Sequence, residues 1–231
     1  MNVFAIADLH LSFGAGPEKS MDKFGGPWVN HTEKLKNNWE KLITDDDLVI
    51  LPGDFSWALR LSETGPDFDY LKALPGKKLM IKGNHDLWCS SLSNLKALEP
   101  DILFLQHDSF DFGSFAVIGT RGWLSPSDLE FKEDTDRAVY ERERMRLRMS
   151  FESLGGRSYD RLICALHYPP QGFNDLIKEF GVTHVIYGHL HGEKAFRAGT
   201  EGLIDGIEYR LVSLDKLNCV PQLIFKAQQE V

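Results

Sequence analysis

The stretch NVFAIADLH, residues 2–10, places an apolar run directly before an aspartate and a histidine, two residue types that bind metals. The run from Val3 to Ala7 is short and wholly apolar, which is typical of a buried strand. Similar runs recur along the chain and end at polar segments, namely Leu48 to Leu51, Leu79 to Ile81, Leu162 to Leu166 and Val185 to Tyr187. We therefore expect buried strands that carry polar residues at their ends.

Helical patterns separate the early strands. Leu35, Trp39, Leu42 and Ile43 have the spacing of an amphipathic helix, and shorter patterns of the same kind follow. Those shorter patterns span 68–74 and 92–98. The alternation of strands and helices predicts a layered α/β architecture, in which residues at the carboxyl ends of the strands converge on one crevice.

The middle of the chain predicts a second sheet. The segments 110–112 and 115–119 flank Gly113-Ser114, which is typical of a hairpin turn. Two later runs, 207–212 and 223–225, predict further short strands that complete this second sheet.

A long helix is predicted over 134–154, where Arg, Glu and Met are frequent and the Gly155-Gly156 pair marks the end. Its mixed charge favours a solvated face. The alternative is that this helix and the loop before it cover the active site and help to choose the substrate. The sequence thus predicts a single domain over 1–231, and in the alternative interpretation 122–156 is its cap or insertion.

Composition narrows the classes of function. The chain has 231 residues and a net charge of -8, so extended nucleic-acid binding is disfavoured, although bound cations could still attract a phosphate. The three cysteines are odd in number and predict no disulfide framework. Residues 1–8 lack the pattern of a signal peptide, and no apolar run reaches membrane-spanning length, so we expect a cytoplasmic protein without a membrane partner. The oligomeric state does not follow from the sequence.

Polar residues with metal-binding side chains follow the predicted strands in five clusters. These are Asp8-Leu9-His10, Gly53-Asp54, Gly83-Asn84-His85-Asp86, His167 and Gly188-His189-Leu190-His191. Residues two apart in an extended segment point the same way, so the first and last clusters can each present two ligands to one place. Carboxylate, imidazole and amide donors suit divalent Mn, Fe, Zn or Ni.

The five ordered clusters resemble the motif series of the calcineurin-like metallophosphoesterase superfamily. The resemblance spans Asp8 to His191 and implies a four-layer α/β/β/α sandwich of two mixed sheets. It also implies that two divalent metal ions are bound. By this resemblance the first ion is held by Asp8, His10 and His191, and the second by Asn84, His167 and His189. Asp54 would bridge the two ions.

The function that the resemblance implies is hydrolysis of a phosphomonoester or phosphodiester by a metal-activated water. The substrate would be a small phosphoester. His85 is cast as the general acid or transition-state stabiliser, and Asp86 as the residue that either orients it or caps the following turn. Two alternatives remain open, a nuclease of the same fold and a non-catalytic scaffold that keeps its metals.

One departure from the superfamily narrows the prediction. Phe55-Ser56-Trp57-Ala58 follows Asp54, where phosphoprotein phosphatases carry a further acid and an Arg, which disfavours a protein Ser/Thr phosphatase. The other histidines and one acidic run have plainer interpretations. His31 is interpreted as a surface residue at a helix start, His107 as a loop residue, His184 as a strand residue and Asp45-Asp46-Asp47 as a solvated turn.

Overall fold

The computed structural model describes residues 1–226, apart from the side chain of Leu92, so the predicted domain extends five residues beyond the described chain. The strands are β1 (Asn2–Ala5), β2 (Leu48–Pro52), β3 (Lys77–Ile81), β4 (Ile102–Leu105), β5 (Phe110–Asp111), β6 (Phe115–Thr120), β7 (Arg161–Leu166), β8 (His184–Tyr187), β9 (Gly202–Ile204), β10 (Ile207–Leu211) and β11 (Gln222–Lys226). The α-helices are α1 (His31–Leu42), α2 (Gly65–Lys72), α3 (Leu92–Leu98), α4 (Glu133–Glu152), α5 (Asn174–Glu179) and α6 (Glu193–Ala198). Short 3-10 helices cover Pro17–Lys19, Met21–Phe24, Gly26–Trp28, Leu61–Glu63 and Pro170–Phe173.

The strands form two mixed sheets. The first has the order β11-β1-β2-β3-β4, and only β11 runs antiparallel to its neighbour there. The second has the order β5-β6-β7-β8-β10-β9, with a parallel centre and antiparallel strands at both edges. The predicted hairpin is present as β5 and β6.

One strand lies in a different sheet from the one predicted. The run 223–225 forms part of β11, which pairs with β1 in the first sheet, with Val3 opposite Phe225. The prediction that this run completes the second sheet is therefore wrong, whereas β10 does belong there. An apolar run indicates that a strand forms, but its partner depends on pairing across more than 200 residues of chain. Because β11 pairs with β1, it satisfies backbone N–H and C=O groups of β1 that would otherwise lie open at the edge of the sheet.

Three apolar clusters give the molecule four layers. The first lies between α1, α2 and the outer face of the first sheet, and it includes Phe4 and Ile6. The second lies between the two sheets and includes Val3 and Ala5 from the same strand, because successive side chains point to opposite faces. The third covers the outer face of the second sheet. The predicted α/β/β/α sandwich is thereby confirmed.

Helix α4 belongs to the outer layer of the second sheet. Its Tyr140 and Leu147 are buried in the same cluster as Ile177 of α5, while most of its charged side chains stay in solvent. Glu143 is an exception, since it is completely buried within the helix face that meets the sheet. One face of the helix is therefore solvated as predicted, and its other face packs on the second sheet.

Candidate metal centre

The metal-binding clusters of the sequence meet at the carboxyl ends of strands from both sheets. Asp8 and His10 follow β1, Asp54 follows β2, and Asn84 follows β3. From the second sheet, His167 follows β7, and His189 and His191 follow β8. The backbone joins the sheets here, because the N–H of Ala7 donates to the carbonyl of Val212 at 2.8 Å.

One group of ligand atoms comes from Asp8, His10 and His191. One atom from each of these side chains lies within 4.8 Å of the other two. The Nε2 atoms of His10 and His191 are 3.4 Å apart. The two loops that carry them are linked directly, since the backbone N–H of His189 donates to Oδ2 of Asp8 at 3.0 Å.

A second group comes from Asn84, His167 and His189. Oδ1 of Asn84 lies 2.7 Å from Nε2 of His167 and 2.9 Å from Nδ1 of His189. The two imidazole nitrogens are 3.3 Å apart. The three donors thus surround one small space.

Asp54 lies between the two groups. Its Oδ2 is 3.9 Å from Nε2 of His10 and 3.5 Å from Nε2 of His167. Its Oδ1 accepts a hydrogen bond from the backbone N–H of His85 at 2.8 Å. One oxygen of this carboxylate therefore faces a nitrogen from each group, and the other oxygen holds the loop that carries His85.

Four of these candidate ligand residues have left-handed backbone conformations. The φ angles are 59° for Asp8, 45° for His10, 53° for Asp54 and 72° for His189. Such angles are uncommon outside glycine and cluster at functional sites, where surrounding structure holds them. The loops are therefore turns, and the extended geometry assumed from the two-residue spacing is wrong, although the spacing does bring the side chains together.

Glycines before the ligands allow the loops to approach closely. A Cβ at Gly83 would lie 2.0 Å from Oδ1 of Asp54, and one at Gly53 would lie 2.6 Å from Nδ1 of His167. At Gly188 a Cβ would lie 2.6 Å from Oδ2 of Asp8. Any larger residue would have to displace a ligand.

Burial sets the protonation of the cluster. It raises the pKa of Asp8 to about 8 and lowers the pKa of His167 to about 3 and that of His189 to about 2. Burial also acts to lower the pKa of His191, but the hydrogen bond to Asp215 and nearby carboxylates outweigh it, so this pKa is raised. His167 and His189 are consequently neutral, the form in which imidazole binds metals.

The donors fit a cation on tautomer grounds. Neutral His167 has one proton, and Nδ1 carries it because Nδ1 donates to the carbonyl of Pro52 at 3.0 Å. Its Nε2 therefore presents a lone pair to Oδ1 of Asn84, which is also an acceptor, at 2.7 Å. Two acceptors at this distance repel each other unless both bind the same cation. Ligands that bind one ion at about 2.0–2.2 Å lie about 3 Å apart, as these atoms do.

The predicted catalytic pair, His85 and Asp86, separates in space. His85 is exposed beside the cluster, and its ring centroid lies 4.5 Å from that of Trp57. Asp86 is buried and accepts hydrogen bonds from the backbone N–H groups of Gly83 and Phe55 at 2.8 and 2.9 Å. The two roles predicted for Asp86 were to orient His85 or to cap the following turn. Its contacts to Gly83 and Phe55 instead hold the loop before it, and no hydrogen bond from it to His85 is found within residues 1–226.

Sequence reasoning missed Asp215, which contacts the candidate ligand His191. Its Oδ1 accepts from Nδ1 of His191 at 3.0 Å, and its Oδ2 accepts from the N–H of Gly192 at 3.2 Å. The available signal was its position, because Ser213 and Asp215 follow β10 with the same two-residue spacing as Asp8 and His10.

Two plainer interpretations from the sequence were wrong in part, since His31 is not at the surface and one member of the Asp45-Asp46-Asp47 turn is not solvated. His31 does begin α1, but it is buried and its Nε2 lies 3.1 Å from the carbonyl of Leu9, next to a metal-binding position. Asp47 is buried rather than solvated, and it accepts from the N–H of Asn2 at 2.6 Å. Both side chains satisfy backbone groups that the fold buries, which a local pattern does not reveal.

The fold and the cluster define a metallophosphoesterase. The chain belongs to the calcineurin-like phosphoesterase family, which matches residues 1–193. This family comprises hydrolases of phosphoester bonds that normally bind a dinuclear divalent metal centre. No curated protein sequence is significantly similar to the chain. Within residues 1–226, no helix has the length and apolar character needed to cross a bilayer.

Solved structures share the fold at low sequence identity. A protein of unknown function, AQ665 from Aquifex aeolicus, is 16% identical with a TM-score of 0.52, covering 96% of this chain and 94% of that one. Phosphopantetheinyl hydrolase from Mycobacterium tuberculosis is 16% identical with a TM-score of 0.56, covering 92% and 88%. TT1561 from Thermus thermophilus is 14% identical with a TM-score of 0.57, covering 90% and 87%. These likenesses establish the architecture alone.

Proposed function

We propose that the protein hydrolyses a small phosphomonoester or phosphodiester at this cluster, with two divalent ions. One ion would be held by Asp8, His10 and His191, and the other by Asn84, His167 and His189. The observation that carries the proposal is the position of the Asp54 carboxylate, which faces His10 at 3.9 Å and His167 at 3.5 Å. A carboxylate so placed suits a bridge between two ions.

His85 and Asp86 have separate roles in the proposed reaction. When bound, two divalent ions supply a clamp for phosphoryl oxygens and lower the pKa of a water. His85 is placed to give a ring proton to the leaving oxygen, because it is exposed at the rim and its backbone N–H is held by Asp54. Asp86 fixes the loop that carries His85 through bonds to Gly83 and Phe55.

The substrate class rests on charge and on fold. A net charge of -8 supports a small phosphoester over an extended nucleic acid, since most of the surface repels a phosphate backbone. The fold likeness to a phosphopantetheinyl hydrolase also supports a compact phosphoester. Segment 122–156 could contribute to selection, because Trp123 packs on Tyr168 at 5.0 Å and Tyr168 packs on His189 at 4.1 Å between ring centroids.

The test is metal replacement with two model esters. The full-length protein is stripped of metal, reloaded singly with Mn, Mg, Zn, Ni or Fe, and assayed with p-nitrophenyl phosphate and bis-p-nitrophenyl phosphate while bound metal is counted. We expect turnover only with metal present, and a strong loss in Asp54→Asn. Asp205→Asn, at an exposed aspartate, is the matched control. Full activity of Asp54→Asn with both ions retained would contradict the bridge, and two bound ions without turnover of any ester would favour the scaffold.

A further inference from the structure

A cavity of about 240 Å³ lies beside the metal cluster, and the proposed function does not use it. Its wall is formed by the ends of β3, β4 and β6, by the loop after Asp86 and by one face of α4. Ligand pockets usually measure roughly 300–1,000 Å³, so this cavity suits one part of a ligand rather than a whole one.

The cavity wall is strongly basic although the protein is acidic. Its cationic side chains are Lys82, Arg121, Arg142 and Arg146, and its only acids among the described residues are Asp86 and Glu143. The wall therefore carries an excess of two positive charges even with both acids ionised. The chain as a whole has a net charge of -8, so this local excess of positive charge favours the binding of an anion in the cavity.

The three arginines share one carboxylate. Arg146 donates to Oε1 of Glu143 at 2.7 Å, while the nearest nitrogens of Arg121 and Arg142 are 3.7 and 3.6 Å from the same oxygen. Oε2 of Glu143 accepts from the hydroxyl of Thr120 at 2.5 Å. Since Glu143 is completely buried, it fixes the guanidinium groups in place and leaves most of their donors unused.

Unused donors are present in the wall. Nε of Arg121 is buried and has no hydrogen-bond partner within residues 1–226. Nζ of Lys82 donates to the carbonyl of Cys89 at 2.6 Å, and no carboxylate in the described chain lies within ion-pair distance of it. Guanidinium groups with free N–H donors match the geometry of phosphate oxygens.

The cavity adjoins the metal cluster through two of its residues. The carbonyl of Arg121 accepts from the backbone N–H of His167 at 3.0 Å, so this arginine borders a metal-binding strand end. Asp86 lies two residues after Asn84 in the loop between cavity and cluster. None of the seven cluster residues lines the cavity itself, so a ligand that reaches both must pass along the loop that carries Asn84 and Asp86.

We propose that this cavity binds a second phosphate group of the substrate, so that the natural substrate is a compound with two separate phosphates or a phosphate and another phosphate-like dianion. The proposal rests on the proposed hydrolase function for its substrate part. The binding of phosphate by the cavity does not depend on that function.

Direct binding is tested with inorganic phosphate. Calorimetric titration of the metal-free full-length protein should show phosphate binding that weakens by about tenfold or more in Arg142→Gln, because one charge-assisted contact is lost. The double variant Arg142→Gln/Arg146→Gln should lose binding further. Arg148→Gln is the matched control, since Arg148 lies on the same helix but pairs with Glu179 on the surface. Equal phosphate affinity in all these proteins would overturn the proposal.

Substrate use separates a substrate phosphate from a free anion. Metal-loaded protein is assayed with adenosine 5′-phosphate and adenosine 3′,5′-bisphosphate as probes, and with p-nitrophenyl phosphate. The wild type should have a higher kcat/KM for the bisphosphate than for adenosine 5′-phosphate. Arg142→Gln should lose this preference because its KM for the bisphosphate rises. Its turnover of p-nitrophenyl phosphate should stay within about twofold of the wild type. Phosphate binding without any bisphosphate preference would show an independent anion site and overturn the substrate assignment.

The two proposals fail in different ways. If no ester is hydrolysed but phosphate binding still depends on Arg142, the hydrolase proposal is wrong and the anion site stands. If p-nitrophenyl phosphate is hydrolysed but phosphate affinity is unchanged by Arg142→Gln, the cavity assignment alone is wrong. Arg142 is half exposed and lies 3.6 Å from the Glu143 carboxylate, whereas Arg146 donates to it at 2.7 Å, so Arg142→Gln disturbs this buried carboxylate less than removal of Arg146.

Discussion

The carboxylate of Asp215 accepts a hydrogen bond from Nδ1 of His191 at 3.0 Å, and this contact leaves Nε2 of the same ring facing the metal cluster. The two residues come from the ends of neighbouring parallel strands, β8 and β10. Carboxylate partners of this kind fix the tautomer and orientation of a metal-binding histidine.

Removal of Asp215 should weaken the metal centre. We expect Asp215→Ala to lower metal affinity by about 10–100-fold, and Asp215→Asn to lower it less, because the amide oxygen can still accept from His191. The measurement is a competition titration with a chelating dye. Asp205→Ala, at an exposed position, serves as the control and should match the wild type. Equal affinities for all variants would contradict the role.

Replacement of His85 should affect turnover and leave metal binding intact. We expect His85→Ala to reduce kcat by about 100–10,000-fold, because a proton donor to the leaving oxygen is lost. Metal content should remain that of the wild type. His107→Ala, at an exposed loop histidine, is the control. Loss of metal together with activity would instead make His85 a ligand or a structural residue.

Gly83 should tolerate no side chain. In Gly83→Ala the new Cβ would lie 2.0 Å from Oδ1 and 2.3 Å from the backbone nitrogen of Asp54. We expect a destabilisation of about 1–3 kcal/mol and a loss of metal binding as Asp54 moves. Urea unfolding and metal counting measure the two effects. Gly65→Ala has open space around it and should change neither, so equal behaviour of the two variants would refute the steric argument.

Metal affinity should increase with pH. Burial raises the pKa of Asp8 to about 8, so metal binding at lower pH must displace a proton from this carboxyl. His167 and His189 have lowered pKa values and are already neutral. We expect affinity to rise by about tenfold per pH unit from pH 6 to 8 and then to level off. Competition titrations across this range test it, and a flat profile would contradict a proton on Asp8 that metal binding must displace.

Asp47 should stabilise the fold in a pH-dependent way. Burial opposes its ionisation, but hydrogen bonds from Thr44 and Asn2 outweigh this and lower its pKa below the ordinary value. The stabilisation is therefore complete above the unfolded pKa near 4 and is lost as pH falls through the folded value. We expect Asp47→Asn to cost about 2 kcal/mol at pH 7 and much less at pH 3. Urea unfolding at both pH values, with exposed Asp46→Asn as the control, measures the difference.

Most of the fold could be predicted because its signals are local. The apolar runs at β1, β2, β3, β7 and β8 alternate with helical patterns, and the Gly113-Ser114 turn identifies the β5–β6 hairpin. The partner of β11 could not be predicted, since strand pairing joins residues distant in sequence. The buried faces of His31 and Asp47 were missed for the same reason, as their partners are backbone groups of other segments.

The part of the candidate site that could be predicted consists of residues that lie together in short sequence motifs. Five clusters contain the seven side chains predicted to bind metal, and the structure brings these side chains to one place. Asp215 and the arginines around Glu143 lie outside those motifs. The position of β10 brings Asp215 to the cluster, and the packing of α4 beside the end of β6 brings the arginines to the cavity. Supporting residues of this kind are fixed by tertiary contacts rather than by a sequence pattern.

The left-handed backbone at Asp8, His10, Asp54 and His189 sets limits for protein engineering. A designer who wishes to change metal preference would naturally exchange aspartate for glutamate, which keeps the carboxylate. Aspartate and asparagine accept left-handed angles more readily than longer or branched residues, which pay about 1–2 kcal/mol there. Asparagine is therefore the replacement that strains the backbone least at Asp8 and Asp54, but it removes the carboxylate charge, so each of these positions couples the choice of backbone angle to the choice of ligand.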